Sequence, residues 1–429
     1  MKLAMIGCGY VGLVTGTCFA DMGNIVTCVD NNKSKIDQLK KGISPIYEPG
    51  IETLIQKNMK NRRLRFSTLI RQAVADSEII FIAVGTPPRD NGEADLTYIE
   101  DVACEIAKAI KDYKLIVEKS TVPVETGWWV AHTLKANARA GAKFDVASNP
   151  EFLREGTAIN DFMHPDRIVI GVENKRAKDI LLALYRPFKC PIVVTDIKSA
   201  ELIKHASNSF LATKLSFINA LSCICDFVGA DVVKVAEGMG LDKRIGRSYL
   251  DAGLGYGGFC LPKDVEAFIR ISEKKGYDFK LLQAVKEIND CQLDNIVKKI
   301  EEQLWILKNK TIGILGLSFK PNTDDLRFAP SLELIRKLQA EGAQIKAYDP
   351  QAMSKAKSLL KKVEFCKNVY DLAKNSDALI VVTEWDEFKE MELKRIKKLM
   401  KKPVIIDGRN IYEPKFMKQL GFKYVCIGR

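Results

Sequence analysis

Histidine is scarce in this chain, three in 429 residues, and His132, His164 and His205 form no cluster. No catalytic role is assigned to any of them. The 11 cysteines include no C-x-x-C pair, and the one C-x-C, Cys223 with Cys225, has no histidines beside it to complete a zinc site. No metal is expected. The cysteine spacing is also too irregular for a disulfide framework. A chain of this length removes about three quarters of its unfolded surface from water and needs no covalent staples. The cysteines therefore read as free thiols of a reduced, cytoplasmic compartment. Unbroken apolar stretches are missing too. Met1 to Ala20 is apolar, but glycines at 7, 9, 12 and 16 interrupt it. A spanning helix wants about 20 apolar residues in a row, and a secretion signal wants an uninterrupted core. No other segment is long enough, so no membrane partner is expected.

What is present is a balance of 47% hydrophobic and 28% charged residues, that of a soluble globular protein of about three domains. The formal charge of +12 suits an anionic partner, whether nucleic acid, a membrane surface or a phosphorylated small molecule. The densest basic run, Lys394 to Lys402, carries Ile396, Leu399 and Met400 at near-helical spacing, which makes it a solvated helix face. No aromatic-interleaved basic patch or helix-turn-helix signature supports nucleic acid.

The first 30 residues read as strand, turn, helix, strand. Leu3 to Ile6 is a short apolar run, Gly7, Gly9 and Gly12 mark a turn, a helical pattern continues to Met22, and Ile25 to Val29 ends at Asp30. This is the βαβ unit, whose crossover helix lets two parallel strands lie side by side. Ile79 to Val84, Leu115 to Val117 and Phe144 to Ala147 continue the alternation. The grammar returns with Lys310 to Leu315, Gly316, a helix from about Ser331, Gln344 to Tyr348, Asp349 and Ala378 to Val382. Between the repeats, Ser199 to Gly229 has helical periodicity with no proline or glycine until its end, and Phe279 to Leu307 is a second helical stretch. The expected fold is α/β, two Rossmann-like doubly wound domains joined by a long central helix and helical region, with segments 1–198, 199–308 and 309–429.

Gly7-Cys8-Gly9-Tyr10-Val11-Gly12 follows a strand and opens a helix, the context that makes a glycine pattern a dinucleotide fingerprint. The first glycine permits the turn, the second lets backbone approach a pyrophosphate, and the third packs helix on strand. Asp30, at the end of the second strand, can accept from both ribose hydroxyls and would repel the extra phosphate of NADP. NAD is favoured, with Lys33 and Lys35 nearby working against that preference. Gly253, Gly255, Gly257 and Gly258 form the most glycine-dense stretch and lead into Cys260, Pro262, Lys263 and Asp264. So pliable a backbone can close on a ligand, and Pro262 suits the first turn of the helical pattern that follows. Cys260 would then sit at a helix amino terminus next to Lys263, both of which stabilise a thiolate relative to its free pKa of about 8.5. The residue is read as a nucleophile, although a lone cysteine is more often a small buried hydrophobe. Lys204 and Asn208 share a helix face at a spacing that by itself fits a solvated pair. Thr121, Glu151, Glu155, Lys320 and Arg327 lie beside strand ends and turns, where open sheets gather ligands, with surface ion pairs as the alternative.

Taken together, the fingerprint through Leu13, Glu48-Pro49-Gly50, Val84-Gly85-Thr86-Pro87, Asn149 to Gly156, Lys204 with Asn208, Gly255-Tyr256-Gly257-Gly258, Cys260 with Lys263-Asp264, and Asp407-Gly408-Arg409 resemble the UDP-glucose 6-dehydrogenase family, in order along nearly the whole chain. The resemblance implies an amino-terminal NAD domain, a central region forming a homodimer core, and a carboxy-terminal domain for the UDP-sugar. It also implies oxidation of the sugar's C6 hydroxyl to a carboxylate with two NAD and one water. One hydride transfer stops at an aldehyde, and a nucleophile such as a thiolate permits the second. By resemblance, Cys260 forms a thiohemiacetal and then a thioester, Lys204 and Asn208 stabilise the oxyanion or move its proton, Asp264 and Glu151 serve water or act as base, and Thr121 joins the proton network. The implied cofactor residues are Gly7, Gly9, Tyr10, Val11, Gly12, Asp30, Lys35, Gly85, Thr86, Pro87, Thr121, Glu155, Lys263 and Arg327. For the UDP-sugar they are Glu151, Phe152, Leu153, Arg154, Glu155, Lys204, Asn208, Arg244, Tyr249, Leu250, Asp251, Ala252, Gly253, Gly257, Phe319, Lys320 and Arg409. A diphosphate calls for cationic, forked donors, which suits Lys320, Arg244 and Arg409. Phe259 and Leu261 beside the cysteine, Phe328 after Arg327, and the Trp128-Trp129 pair depart from the family pattern.

The alternatives are the same chemistry on another nucleotide sugar, a UDP-N-acetylhexosamine or GDP-mannose, and a two-electron hydroxyacid dehydrogenase, which has no use for the cysteine. Outside enzymology stands a non-catalytic NAD-binding module.

Overall fold

The computed structural model describes residues 1–429. They form two compact units, residues 1–207 with 266–275, and residues 208–265 with 276–429. The segment 199–308 is thus divided between the units.

The first unit holds β1 (Lys2–Ile6), β2 (Ile25–Val29), β3 (Leu64–Ser67), β4 (Ile79–Ile82), β5 (Lys114–Glu118), β6 (Phe144–Ser148), β7 (Ile168–Val172) and β8 (Ile192–Thr195). They form one sheet in the order β3-β2-β1-β4-β5-β6-β7-β8. All neighbours are parallel except β6 and β7, which pair antiparallel at Ala147–Val172 and Ser148–Gly171. Strand periodicity explains why β1 is apolar throughout: Leu3 and Met5 enter one core with Phe19, while Ala4 and Ile6 enter another with Ile99 and Val130. The order reverses direction at β1, whose neighbours are β2 and β4. That places the fingerprint turn at the topological switch point.

The second unit repeats the plan with β9 (Thr311–Leu315), β10 (Gln344–Tyr348), β11 (Val363–Phe365), β12 (Ala378–Val381), β13 (Val404–Asp407) and β14 (Lys423–Cys426). Their order is β11-β10-β9-β12-β13-β14, and every pair is parallel. Ile312 and Ile314 face one core and Leu315 the other.

The helix Ile197–Val228 is 32 residues long, about 48 Å at the usual rise. It ends where Gly229 takes φ +72°, a conformation that suits glycine past a helix end. By length and composition this helix could cross a membrane, which corrects the expectation that no segment could. Part of its apolar character is an exposed stripe of Phe210, Phe217, Ile224 and Phe227. Three of its polar residues are buried on protein partners: Glu201 on the backbone N–H of Glu125 and Gly127, Lys204 on Glu151, and Asn208 on Asp264. Trp128 and Trp129 lie exposed on the helix Thr126–Asn137, where Trp128 stacks on His132 at 5.3 Å.

Candidate active site

In the first unit the helix Tyr10–Asp21 begins directly after the glycine turn, and no side chain caps it. Its first amides therefore remain available to an anion. Gly7 has φ +102°, and a Cβ there would meet the Ala83 carbonyl. At Gly12 a Cβ would strike the Gly7 oxygen, while at Gly9 it would meet nothing within 4 Å. Turn and packing thus demand Gly7 and Gly12, whereas Gly9 keeps open the space a pyrophosphate needs. Asp30 accepts from Cys8 N at 2.9 Å, Asn32 N at 2.9 Å and Lys35 Nζ at 2.8 Å. Burial pushes its carboxyl up, but the hydrogen bonds from Lys35, Asn32 and Cys8 outweigh that and hold it below the usual carboxylate value. Lys35 is committed to Asp30 and is no spare cation for a 2′-phosphate. The residues present fit NAD.

Around this cradle, Thr86 Oγ1 donates to the Thr121 carbonyl at 2.9 Å, and a Cβ on Gly85 would meet nothing within 4 Å. Pro87 is half-buried. Gly156 N donates to Tyr10 Oη at 2.7 Å and Glu48 Oε2 at 2.6 Å, and Tyr10 also bonds Glu48, so this trio fixes the loop that carries Glu155. Glu151 is buried, its Oε1 accepting from Lys204 Nζ at 2.8 Å and its Oε2 from Leu153 N at 2.6 Å. The Phe152 ring is covered by Arg167 at 3.5 Å and lies 5.3 Å from Lys204 Nζ. Arg154 forks onto Asp161. Just after β5, burial pushes the Lys119 amine down to about 8, Glu151 drawing it back up and Lys204 opposing.

The cysteine lies in the second unit. The helix Cys260–Lys274 begins at Cys260, which is exposed, with Pro262 in its first turn. Asp264 is buried, accepting from Asn208 Nδ2 at 2.5 Å and Lys263 Nζ at 2.6 Å. The Lys263 ammonium, expected beside the thiolate, thus meets the Asp264 carboxylate. The glycine-rich loop before the cysteine is buried from Ala252 through Gly258, as is Leu250, with Asp251 between them exposed. Gly253 N donates to Asn219 Oδ1 at 2.8 Å and Gly253 O accepts from Gln292 at 2.8 Å, while Tyr256 N donates to Asn289 at 2.7 Å. A Cβ at Gly253 would lie 2.9 Å from Arg409 Nη1, and one at Gly258 would enter the Phe319 ring, so these glycines admit Arg409 and Phe319 to the loop. Gly257 likewise lies against Phe328 and Pro330. Arg409 Nε donates to the Val382 carbonyl at 2.7 Å. Lys320 Nζ lies 5.5 Å from the Phe319 ring centre. Arg327 forks onto Asp325 and covers Phe259 at 4.3 Å. Arg244 forks onto Asp242 and Arg247 pairs with Asp251, both at the surface ahead of Tyr249, which has φ +63°. No three His, Cys, Asp or Glu residues gather into a metal-sized cluster. A groove at the amino ends of β9 and β10, lined by Thr311, Gln344 and Lys346, lies at the end of the sheet opposite to Gly316 and Asp349. Open sheets bind ligands at their carboxyl ends, so the groove is not the site.

Residues 1–189 match the UDP-glucose/GDP-mannose dehydrogenase family, NAD binding domain; residues 198–291 match its central domain and 313–414 its UDP binding domain. The chain is 51% identical to UDP-glucose 6-dehydrogenase TuaD of Bacillus subtilis (strain 168), across all of this chain and 93% of that one. The chain belongs to the UDP-glucose/GDP-mannose dehydrogenase family. A second relative, UDP-glucose 6-dehydrogenase YwqF of the same organism, is 48% identical over all of this chain and 98% of its own. Among solved structures, a UDP-glucose dehydrogenase from the hyperthermophilic archaeon Pyrobaculum islandicum superposes with TM-score 0.93 at 39% identity, covering 99% of this chain and 96% of that one.

Within this UDP-glucose/GDP-mannose dehydrogenase family member, sequence reasoning missed the amides that pin the glycine-rich loop, Asn219, Asn289 and Gln292. It also missed Lys119, Arg167 and Glu201. The available signal was weak: each is one polar residue on an otherwise apolar helix face or strand end. Burial tells them apart from surface groups only after the chain has folded.

Proposed function

We propose that this chain oxidises UDP-glucose to UDP-glucuronate by a four-electron, NAD-dependent reaction. The observation that carries this reading is the thiol of Cys260, exposed at the first residue of a helix and followed by the buried Lys263–Asp264–Asn208 cluster. Near-50% identity to two UDP-glucose 6-dehydrogenases supports the substrate.

When bound, NAD would supply the hydride acceptor, one NAD for each of the two oxidations, with the first NADH leaving before the second NAD enters. Gly7 to Gly12, Asp30, Lys35, Gly85 to Pro87, Thr121, Glu155, Lys263 and Arg327 are the residues assigned to hold it. Loss of the first hydride and the hydroxyl proton gives an aldehyde. The Cys260 thiolate then adds to the carbonyl carbon, a C–S bond forms, and the oxygen becomes the oxyanion of a thiohemiacetal. Lys204 and Asn208 are assigned to that oxygen, where one donor is worth roughly 3 kcal/mol, about a hundredfold in rate. Loss of the second hydride leaves a thioester. Water, with Asp264 or Glu151 as base and Thr121 in the proton network, attacks the acyl carbon. The C–S bond breaks, and carboxylate and thiol are released.

In this reading residues 1–198 serve NAD, residues 309–429 the UDP-sugar, and 199–308 a homodimer core. The outward apolar stripe on the long helix supports the dimer. Eleven cysteines, none of them in a disulfide, support a reduced cytoplasmic compartment.

The test adds a limiting amount of UDP-glucose to enzyme with excess NAD and counts NADH at completion. Two NADH per sugar are expected. One would refute the thioester route. None with UDP-glucose, but two with a UDP-N-acetylhexosamine or GDP-mannose, would move the substrate and leave the chemistry. Cys260→Ser should abolish four-electron turnover, by on the order of a thousandfold or more.

A further inference from the structure

Lys119 stands just past β5, and only 5% of its surface is exposed. Its Nζ donates to Asn149 Oδ1 at 2.9 Å. Asn149 ties three strand ends together: its backbone N donates to the Glu118 carbonyl at 2.8 Å and its Nδ2 to the Val169 carbonyl at 2.7 Å, while Tyr185 Oη also donates to Oδ1. These bonds cross the place where the sheet turns from parallel to antiparallel. Two residues on, past Pro150 with its fixed φ, comes Glu151 with its partner Lys204. A shift of Asn149 is therefore passed directly to Glu151.

We propose that Lys119 is a positioning residue for the Glu151–Lys204 pair, acting through the Asn149 side chain. The proposal rests on the assignment of Glu151 and Lys204 to the reaction made above. Strand tethering alone does not explain an ammonium here, because Tyr185 already supplies Asn149 Oδ1 with a neutral donor and burying a charge is costly. A cation has a use beside Glu151. The carboxylate is felt by Lys119 and Arg167 and is bonded to Lys204, so one anion is set among three cations, and it holds the buried Lys119 amine closer to its charged form than burial alone would. Lys119 itself reaches Asn149 rather than the pair, and so acts by placement and field.

The test is a double-mutant cycle of Lys119→Met, which keeps the aliphatic stem, with Glu151→Gln. Lys119→Met should lower kcat roughly tenfold to a hundredfold, the cost of a small misplacement of a reacting group, with KM for UDP-glucose and NAD held within about twofold. In the Glu151→Gln background the same substitution should cost less than about threefold, because the group it places is already gone. Equal losses in both backgrounds, a wild-type kcat, or a loss confined to KM would overturn the proposal. Should Lys119→Met not fold, Lys119→Gln is carried through the same cycle and judged by the same outcomes. A wild-type kcat for Glu151→Gln alone would overturn the assignment of Glu151, and the proposal with it; an impaired Glu151→Gln with additive losses overturns the proposal only.

Discussion

At Gly9 a methyl group would meet no protein atom within 4 Å, while at Gly12 it would run into the Gly7 carbonyl. The two glycines of one motif thus answer to different constraints, ligand space and chain packing. Gly9 sits at the helix N-cap with φ −73°, which alanine adopts freely. Gly9→Ala should therefore change folding stability by no more than about 1 kcal/mol. The affinity for NAD, measured by calorimetry, should nevertheless fall on the order of tenfold or more, because the methyl stands where backbone must approach the pyrophosphate. Gly12→Ala should instead lower stability by about 1–3 kcal/mol through overpacking. Equal NAD affinity for Gly9→Ala and wild type would remove the fingerprint's second glycine from the site. The glycine motifs, Asp30 and Cys260 were legible in the sequence because spacing and context carry their meaning. Asn219, Asn289 and Gln292 were not, because a loop-pinning amide and a solvated one look alike until burial separates them. Lys263 was legible as a cation beside Cys260, but its partner, Asp264 at the next position, was fixed only by side-chain geometry.

At the scale of elements, the sequence pattern predicts a long helix over Ser199 to Gly229 and the chain forms Ile197–Val228, since an unbroken 3.6-residue pattern and a closing glycine are strong local signals. The strands β1, β2, β4, β5, β6, β9, β10 and β12 followed from apolar runs in the same way. The short edge strand β11 did not: Val363-Glu364-Phe365 is three residues long with a charge in the middle, a pattern that pairing alone makes a strand. The order of strands and the antiparallel β6–β7 pair were equally beyond local pattern, being properties of tertiary contact. The helix also presents Phe210, Phe217 and Ile224 seven residues apart and exposed, with Phe227 87% exposed at its end. Seven-residue apolar spacing keeps one face toward a partner helix, as in a coiled-coil seam. Phe217→Glu should thus halve the mass measured by sedimentation at micromolar concentration, with the far-ultraviolet circular dichroism unchanged. An unchanged mass, or a monomeric wild type, would mean that the stripe is not the dimer contact.

Across the whole chain, the repeat seen in the sequence is matched bond by bond within each unit. Gly7 N donates to Val29 O and Gly316 N to Tyr348 O; Cys8 N donates to Asp30 and Leu317 N to Asp349. Both turn glycines have positive φ, +102° and +94°. The chemistry has nevertheless diverged. Asp30 keeps partial exposure, whereas Asp349 is buried and also accepts from Ser318 N, Trp385 Nε1, Gln351 N and Ala352 N. A carboxylate so occupied has no capacity left for ribose hydroxyls. The first unit also opens a helix directly after its glycine turn, but after Gly316 the next helix waits until Pro330, so no helix amino terminus stands at the turn for a pyrophosphate. One sheet plan thus carries the dinucleotide features in one copy and lacks them in the other, whose residues 313–414 match a UDP binding domain. Calorimetric titration of the full chain with NAD, without sugar nucleotide, should therefore saturate at one NAD per chain. Saturation at two would mean that the second unit binds a dinucleotide despite Asp349. Replacing Asp349 by Asn should separate the two roles further: its cost should fall on thermal stability, with the NAD affinity of the first unit unchanged, whereas Asp30→Asn should lower NAD affinity on the order of tenfold, the scale of one hydrogen bond to a charged group.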